Sequence, residues 1–277
     1  MDQIKTLFPK FKAAAEASSP NVAEATAVLT ELKKAIVSLK LALASPAAIA
    51  AKDATLAAQA AAARDVFESA SYFSAKTGDA AGFERHFLQL KPFYSLFAPL
   101  LPASAHRLPL TGLFLLYLVS AQPARLAEFH SELEQLPAAD VKDGNVAFAF
   151  NLERALMEGS YTTALALRSA LPLPAHGAAF FDMLEGSVRT KVADCIEVAY
   201  VSYPIARLGA ALGLASDSAV TAFVAQRGWK VEGGRVVFPA AGAGADVDAA
   251  AEGGAVARRE KDMSKLLDIA TRIERIV

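Results

Sequence analysis

The chain carries one cysteine and four histidines in 277 residues, too few to suggest a metal centre or a thiol-based reaction. A lone cysteine forms no internal disulfide, which suits a reducing compartment. Cys195 sits in Val192-Ala193-Asp194-Cys195-Ile196, on a helix with no neighbouring histidine, and is expected to be a small buried hydrophobe. His86, His106, His130 and His176 are scattered, and no pair has metal-ligand spacing. The run His130-Ser131-Glu132-Leu133-Glu134 lacks the adjacent glutamate and second histidine of a zinc-protease helix, so Glu132 and Glu134 read as solvated charges. No catalytic residue, no metal ligand and no cofactor-binding residue is expected. Net charge is lacking too. With 28 basic against 29 acidic residues, the formal value of -1 gives no global field to recruit nucleic acid or an anionic membrane. The longest apolar run, 110–121, is well short of the roughly 20 residues a spanning helix needs. Met1-Asp2-Gln3-Ile4-Lys5 lacks the basic-then-apolar order of a signal peptide. A soluble intracellular protein without enzymatic activity is expected.

What is present is helix. Hydrophobic residues make up 54% of the chain, much of it alanine, enough for a sizeable helical core. Val28, Leu29, Leu32, Ile36 and Leu39 form one apolar stripe, and Val66, Phe67, Ala70 and Phe73 another that stops near Lys76-Thr77-Gly78-Asp79. A partner helix with Phe83, Phe87, Leu88 and Leu90 is predicted to end before Pro92. Further pairs break near Gln122-Pro123 and at Glu158-Gly159-Ser160-Tyr161. These breaks recur at roughly 35–45 residues, near the period of tetratricopeptide-like repeats, whose apolar faces are covered by stacking. The aromatic group Phe83, Phe87, Phe93, Tyr94 and Phe97 reads as core between stacked pairs rather than a base-stacking platform, since only Arg85 and Lys91 interleave with it.

The segment 202–238 changes the pattern. A helix over about 187–200 precedes Pro204, placed in the first turn of a second helix with Ile205, Leu208 and Leu212. Gly213 stops it, Ser216 caps a third helix with Val220, Phe223 and Val224, and 229–238 reads as a hairpin turned at Gly233-Gly234. Helix, helix, helix, hairpin is a winged helix. Such a fold grips DNA or joins subunits. The third helix offers only Arg227 as a base, and the wing adds Lys230 and Arg235 but also Glu232, so DNA binding is disfavoured. The strand Arg235, Val236, Val237, Phe238, or its hairpin partner, is expected to offer an edge for strand addition by another subunit. Beyond it, 239–255 is almost all Ala, Gly, Asp and Glu and reads as a tether; its Gly242-Ala243-Gly244-Ala245 lacks the preceding strand of a dinucleotide loop. Then Met263, Leu266, Ala270, Ile273 and Val277 alternate at four and three residues, an amphipathic helix that requires a partner.

The fold class expected is therefore mainly α, with TPR-like stacked helical repeats, a winged helix and a C-terminal helix. The domains expected are 1–186, 187–238, a linker at 239–255 and an assembly helix at 256–277. Helical repeats running into a winged helix are the architecture of the PCI domain. The segment from Ala63-Arg64-Asp65-Val66-Phe67-Glu68 through Gly82-Phe83-Glu84-Arg85-His86-Phe87-Leu88-Gln89-Leu90-Lys91-Pro92-Phe93-Tyr94 resembles the proteasome-lid members of that family. So do Arg125-Leu126-Ala127-Glu128-Phe129-His130-Ser131-Glu132-Leu133-Glu134, Leu156-Met157-Glu158-Gly159-Ser160-Tyr161 and the closing Ile273-Glu274-Arg275-Ile276-Val277. The resemblance implies a non-catalytic scaffold of the proteasome's 19S regulatory particle lid, cytoplasmic and nuclear. It implies other lid PCI subunits as partners, met through the winged helix and a C-terminal helical bundle, with no nucleic acid, membrane or cofactor. The alternative in the same class is a small PCI subunit of the signalosome or of a translation initiation factor complex. The alternative outside it is a winged-helix nucleic-acid binder.

Overall fold

The computed structural model describes residues 2–16, 22–39, 53–121, 125–214 and 216–238. The proposed tether, the C-terminal helix and the break at Gln122-Pro123 lie outside the described residues. Within them the protein is mainly α, with eleven α-helices and three short strands. No single described helix is long and apolar enough to cross a membrane. The chain divides into two compact units between Ser187 and Val188.

The first unit contains α1 (Asp2–Glu16), α2 (Val22–Ser38), α3 (Ala54–Thr77), α4 (Ala80–Ser95), α5 (Arg107–Ser120), α6 (Leu126–Glu134), α7 (Gly144–Met157), α8 (Tyr161–Ala166) and the start of α9 (Pro174–Ala199). Local chemistry sets the boundaries. Gly78 takes φ 73° at the end of α3, and the Asp79 side chain accepts from Gly82 N at 2.9 Å to start α4. Asp143 does the same for α7 through Asn145 N. The predicted stop at Pro92 does not occur: α4 runs through it to Ser95, and the Pro92 carbonyl is used by Phe97 N at 3.1 Å. One missing N–H near the last turn is not enough to end a helix whose next turn buries Phe93 and Phe97.

The expected stripes are buried at Leu29, Leu32, Ile36, Val66, Phe67, Ala70 and Phe73, whereas Leu88 is 47% exposed. Phe83, fully buried, lies at the centre of the core, with ring centroids at 5.0 Å from Phe180, 6.1 Å from Tyr117 and 6.2 Å from Phe87; Phe87 stacks on Phe114 at 4.3 Å. Phe93 and Phe97 stack at 5.5 Å and are also buried, so the aromatic group is core. Helices α5 and α7 approach closely because residue 112 is glycine: a Cβ there would lie 2.8 Å from the Asn145 carbonyl carbon. The buried carboxylate of Glu68 accepts from Tyr94 Oη at 2.8 Å and Ser104 Oγ at 2.6 Å. Glu132, expected to be simply solvated, pairs instead with Lys91.

One of these polar contacts ties the unit's stability to pH. Lys33 Nζ donates to His86 Nε2 at 2.6 Å, which leaves the ring proton on Nδ1, 3.0 Å from Ser74 Oγ. Burial, reinforced by the Lys33 ammonium, pushes the His86 pKa down to about 4. Between about 6.5 and 4 the unfolded chain binds this proton and the native state does not, so stability falls as pH drops through that window. The expected loss is on the order of 2–3 kcal/mol. It is read as urea midpoints at pH 7 and pH 4.5; a His86→Gln variant should show a shallower decline, and an equal decline excludes His86 as the source.

The second unit is built on the rest of α9, with β1 (Ser202–Pro204), α10 (Ile205–Leu212), α11 (Asp217–Gln226), β2 (Lys230–Glu232) and β3 (Arg235–Val237). Gly213 is left-handed at φ 65°, and Ser216 Oγ accepts from Ala219 N. Gly233 and Gly234 both take positive φ, 57° and 77°, as a two-residue hairpin turn requires. Pro204 is not in the first turn of α10 but ends a strand, at ψ 129°. The first helix starts at Pro174, well before the expected 187.

Candidate protein-interaction site

The second unit's core is continuous from helix to sheet: Ala193, Ile196, Leu208, Leu212, Val220, Val224, Trp229, Val236 and Phe238 are buried together. Trp229 anchors it. Its ring meets Phe238 edge-on at 4.7 Å, and its Nε1 donates to Glu197 Oε2 at 3.3 Å. Three basic side chains that a DNA reader could use are engaged inside the unit. Arg227 donates to Asp194 Oδ1 at 2.6 Å and to the Thr190 carbonyl at 3.2 Å, with its guanidinium 5.8 Å from the Trp229 ring. Arg189 donates to the Leu212 carbonyl at 3.2 Å. Arg235 donates to Ser202 Oγ at 3.0 Å.

The sheet changes the expected interface. Its order is β1-β3-β2, both pairings antiparallel. Arg235, Val236 and Val237 therefore form the central strand, paired on both sides. Val236 is fully buried and Phe238 is 6% exposed. The run Arg235–Phe238 has no open edge, because 202–204, expected to open a helix, supplies the third strand. The signal was present: Val201 and Tyr203 alternate before Pro204, and the residue before a proline is held extended.

Register then locates the open edge. Phe238 N donates to the Val201 carbonyl at 3.2 Å, and Ile205 N donates to the Gly234 carbonyl at 3.2 Å. Peptide groups of an antiparallel strand alternate sides, so Val236 faces β1 while Arg235 and Val237 face β2. Lys230 opposes Val237 and Glu232 opposes Arg235, which leaves Val231, opposite Val236, with its N–H and C=O directed away from β3. The Val231 side chain is 48% exposed. The other edge is blunted: Pro204 has no N–H, and Arg235 reaches the Ser202 carbonyl at 3.5 Å as well as its hydroxyl.

Two further features escaped sequence reasoning. Cys195 is exposed rather than buried. The buried positions of this turn of α9 are Ala193 and Ile196, and Cys195 lies on neither. Val198, Tyr200 and Val201 are 81%, 51% and 68% exposed, an apolar run where α9 passes into β1. Val198 is two residues beyond Ile196 and so falls off the helix's buried face, a signal that periodicity contains. Met263, Leu266, Ala270, Ile273 and Val277 lie outside the described residues. Among the described residues, no three of His, Cys, Asp and Glu are grouped to hold a metal ion.

Comparison with known proteins adds to this geometry. Residues 105–247 match the model of the CSN8/PSMD8/EIF3K family. The chain is 37% identical over 191 residues to the 26S proteasome non-ATPase regulatory subunit 8 homolog A of Arabidopsis thaliana, covering 68% of each chain. It is 32% identical to the 26S proteasome regulatory subunit rpn12 of Schizosaccharomyces pombe, covering 64% of each. To RPN12 of Saccharomyces cerevisiae it is 29% identical, covering 62% of this chain and 64% of that one. The matches span about two thirds of these relatives' lengths.

Proposed function

The chain belongs to the CSN8/PSMD8/EIF3K family, and from that premise we propose that it is a non-catalytic structural subunit of the lid of the 26S proteasome's 19S regulatory particle. Its role is lid assembly, and through it the degradation of ubiquitinated proteins. The observation that carries this reading is that relatives from a plant and two yeasts are named proteasome regulatory subunits, which disfavours the signalosome and initiation-factor alternatives. The internal engagement of Arg227, Arg189 and Arg235 argues against nucleic-acid binding.

Within this reading the helices before α9 are TPR-like repeats, and α9 to β3 is the winged helix of a PCI domain. Its partners are other lid PCI subunits, forming a hetro-oligomeric complex in cytoplasm and nucleus. The hairpin contributes through β2 and the exposed Val231 backbone rather than through Arg235–Phe238, and the apolar residues Val198, Tyr200 and Val201 extend the same unit's contact surface. The helix at 256–277 contributes Met263, Leu266, Ala270, Ile273 and Val277 to a bundle with helices of its partners.

The test is affinity purification of the tagged full chain from cells, with partners identified by mass spectrometry. Stoichiometric lid subunits are expected, and deletion of 256–277 should reduce their recovery at least tenfold. Recovery of signalosome or initiation-factor subunits instead overturns the assignment; undiminished recovery after deletion overturns the role of the helix.

A further inference from the structure

Lys33 and Lys34 are neighbours on α2 but occupy different environments. Lys34 is on the solvent face, its side chain 68% exposed and its ammonium 2.8 Å from Glu31 Oε1. Lys33 lies at the margin of the buried face, four residues after Leu29 and three before Ile36, both of them buried. Its side chain is half-buried, and its Nζ reaches across to α4, 2.6 Å from His86 Nε2.

Three helices meet at this contact. His86 is buried on α4, and its Nδ1 lies 3.0 Å from Ser74 Oγ on α3. With the ring proton on that side, the Nε2 lone pair faces Lys33. An amine, an imidazole within hydrogen-bond reach of it and a hydroxyl that orients the imidazole are the parts of an activated nucleophile. The surroundings act in the same sense. Burial and the Arg85 guanidinium push the Lys33 pKa down, with Asp79, the cap of α4, opposing them. More of Lys33 than of an ordinary lysine is therefore free amine at neutral pH.

We propose that Lys33 is a site of acylation, its amine attacking a small activated acyl donor such as an acyl phosphate, with His86 as the proton acceptor. From the free amine, the bond between Nζ and the acyl carbon forms while the bond from that carbon to the phosphate oxygen breaks. Phosphate leaves with the electron pair, and one amine proton passes to His86 Nε2 and from there to water. The product amide is uncharged, so the repulsion by which the Lys33 ammonium disfavours a protonated His86 ends with the reaction. Half-burial of the side chain favours small acyl groups. Acylation also removes the charge from the hydrogen bond that ties α2 to α4.

The test is trace labelling of the full chain with acetyl phosphate across a pH series, with acetyl-Lys33 and acetyl-Lys34 resolved by tandem mass spectrometry. Lys33 should react at least fivefold faster than Lys34 at neutral pH, and its rate should level off at lower pH. In the urea-unfolded chain the two rates should converge, because only the fold distinguishes them. Arg85→Gln, at an exposed position, removes the neighbouring cation without disturbing the core and should move the Lys33 profile to higher pH. His86→Gln keeps a hydrogen-bonding group but no base and should remove most of the advantage. The proposal is overturned if Lys33 reacts no faster than Lys34 in the native chain, if the difference persists after unfolding, or if neither variant reduces it. The assay needs no other subunit, so its failure leaves the lid assignment untouched.

Discussion

Phe83→Ala is expected to destabilise the first unit by about 3–5 kcal/mol, the range for deleting a buried aromatic ring. The size follows from what the ring touches. Phe83 belongs to α4, yet its neighbours Phe114 and Tyr117 come from α5 and Phe180 from α9. The cavity is therefore walled by three helices, and closing it needs them to move together. Rigid surroundings of this kind leave most of the void open, which places the cost toward the upper part of the range. Phe83→Leu should cost less than half as much, because it fills most of the volume. Urea unfolding followed by far-ultraviolet circular dichroism measures the shift, while fluorescence of Trp229, the chain's one tryptophan, reports the second unit separately. A loss below 1 kcal/mol for the alanine variant contradicts a central role for Phe83.

The same residue shows why the helices were legible. Phe83, Phe87 and Leu90 repeat at spacings that only a helix brings to one face, and Gly78-Asp79 supplies a left-handed stop beside a side-chain cap. Such signals are local, and they survive into the fold. What escaped depends on contacts distant in sequence. Ser202–Pro204 is a strand only because Arg235–Val237 returns to pair with it, and a three-residue strand has too little pattern to declare itself. Once β1 is missed, β3 looks like an edge, and of the two hairpin strands offered as the edge only β2 is left with one. Pro92 misled for the converse reason: proline is a strong local punctuator, but here burial of Phe93 and Phe97 offsets the one lost hydrogen bond. At Cys195 helix phase overrides residue type. Residue type favours burial of a free cysteine, yet the phase set by Ala193 and Ile196 points it outward.

Val231→Pro is expected to abolish lid incorporation while leaving the isolated chain folded. The substitution removes one N–H, and register makes that N–H the one directed away from the sheet. Proline at an edge strand costs the ladder nothing when its missing donor faces outward, and Lys230 before it is already extended. The chain's own thermal midpoint should therefore change by no more than a few degrees. A partner strand adding to β2 would lose a hydrogen bond and leave its own carbonyl unsatisfied in a desolvated contact, a penalty of about 1–3 kcal/mol. The proline ring also blocks close approach of the incoming backbone, so the fall in recovered lid subunits should exceed tenfold. Val231→Thr keeps the N–H and should incorporate normally. That pairing separates main-chain from side-chain recognition: if the threonine variant fails and the proline variant assembles, the exposed valine side chain is the contact and strand addition is wrong. If both assemble, the interface of this unit lies elsewhere, with Val198, Tyr200 and Val201 the apolar surface left to carry it.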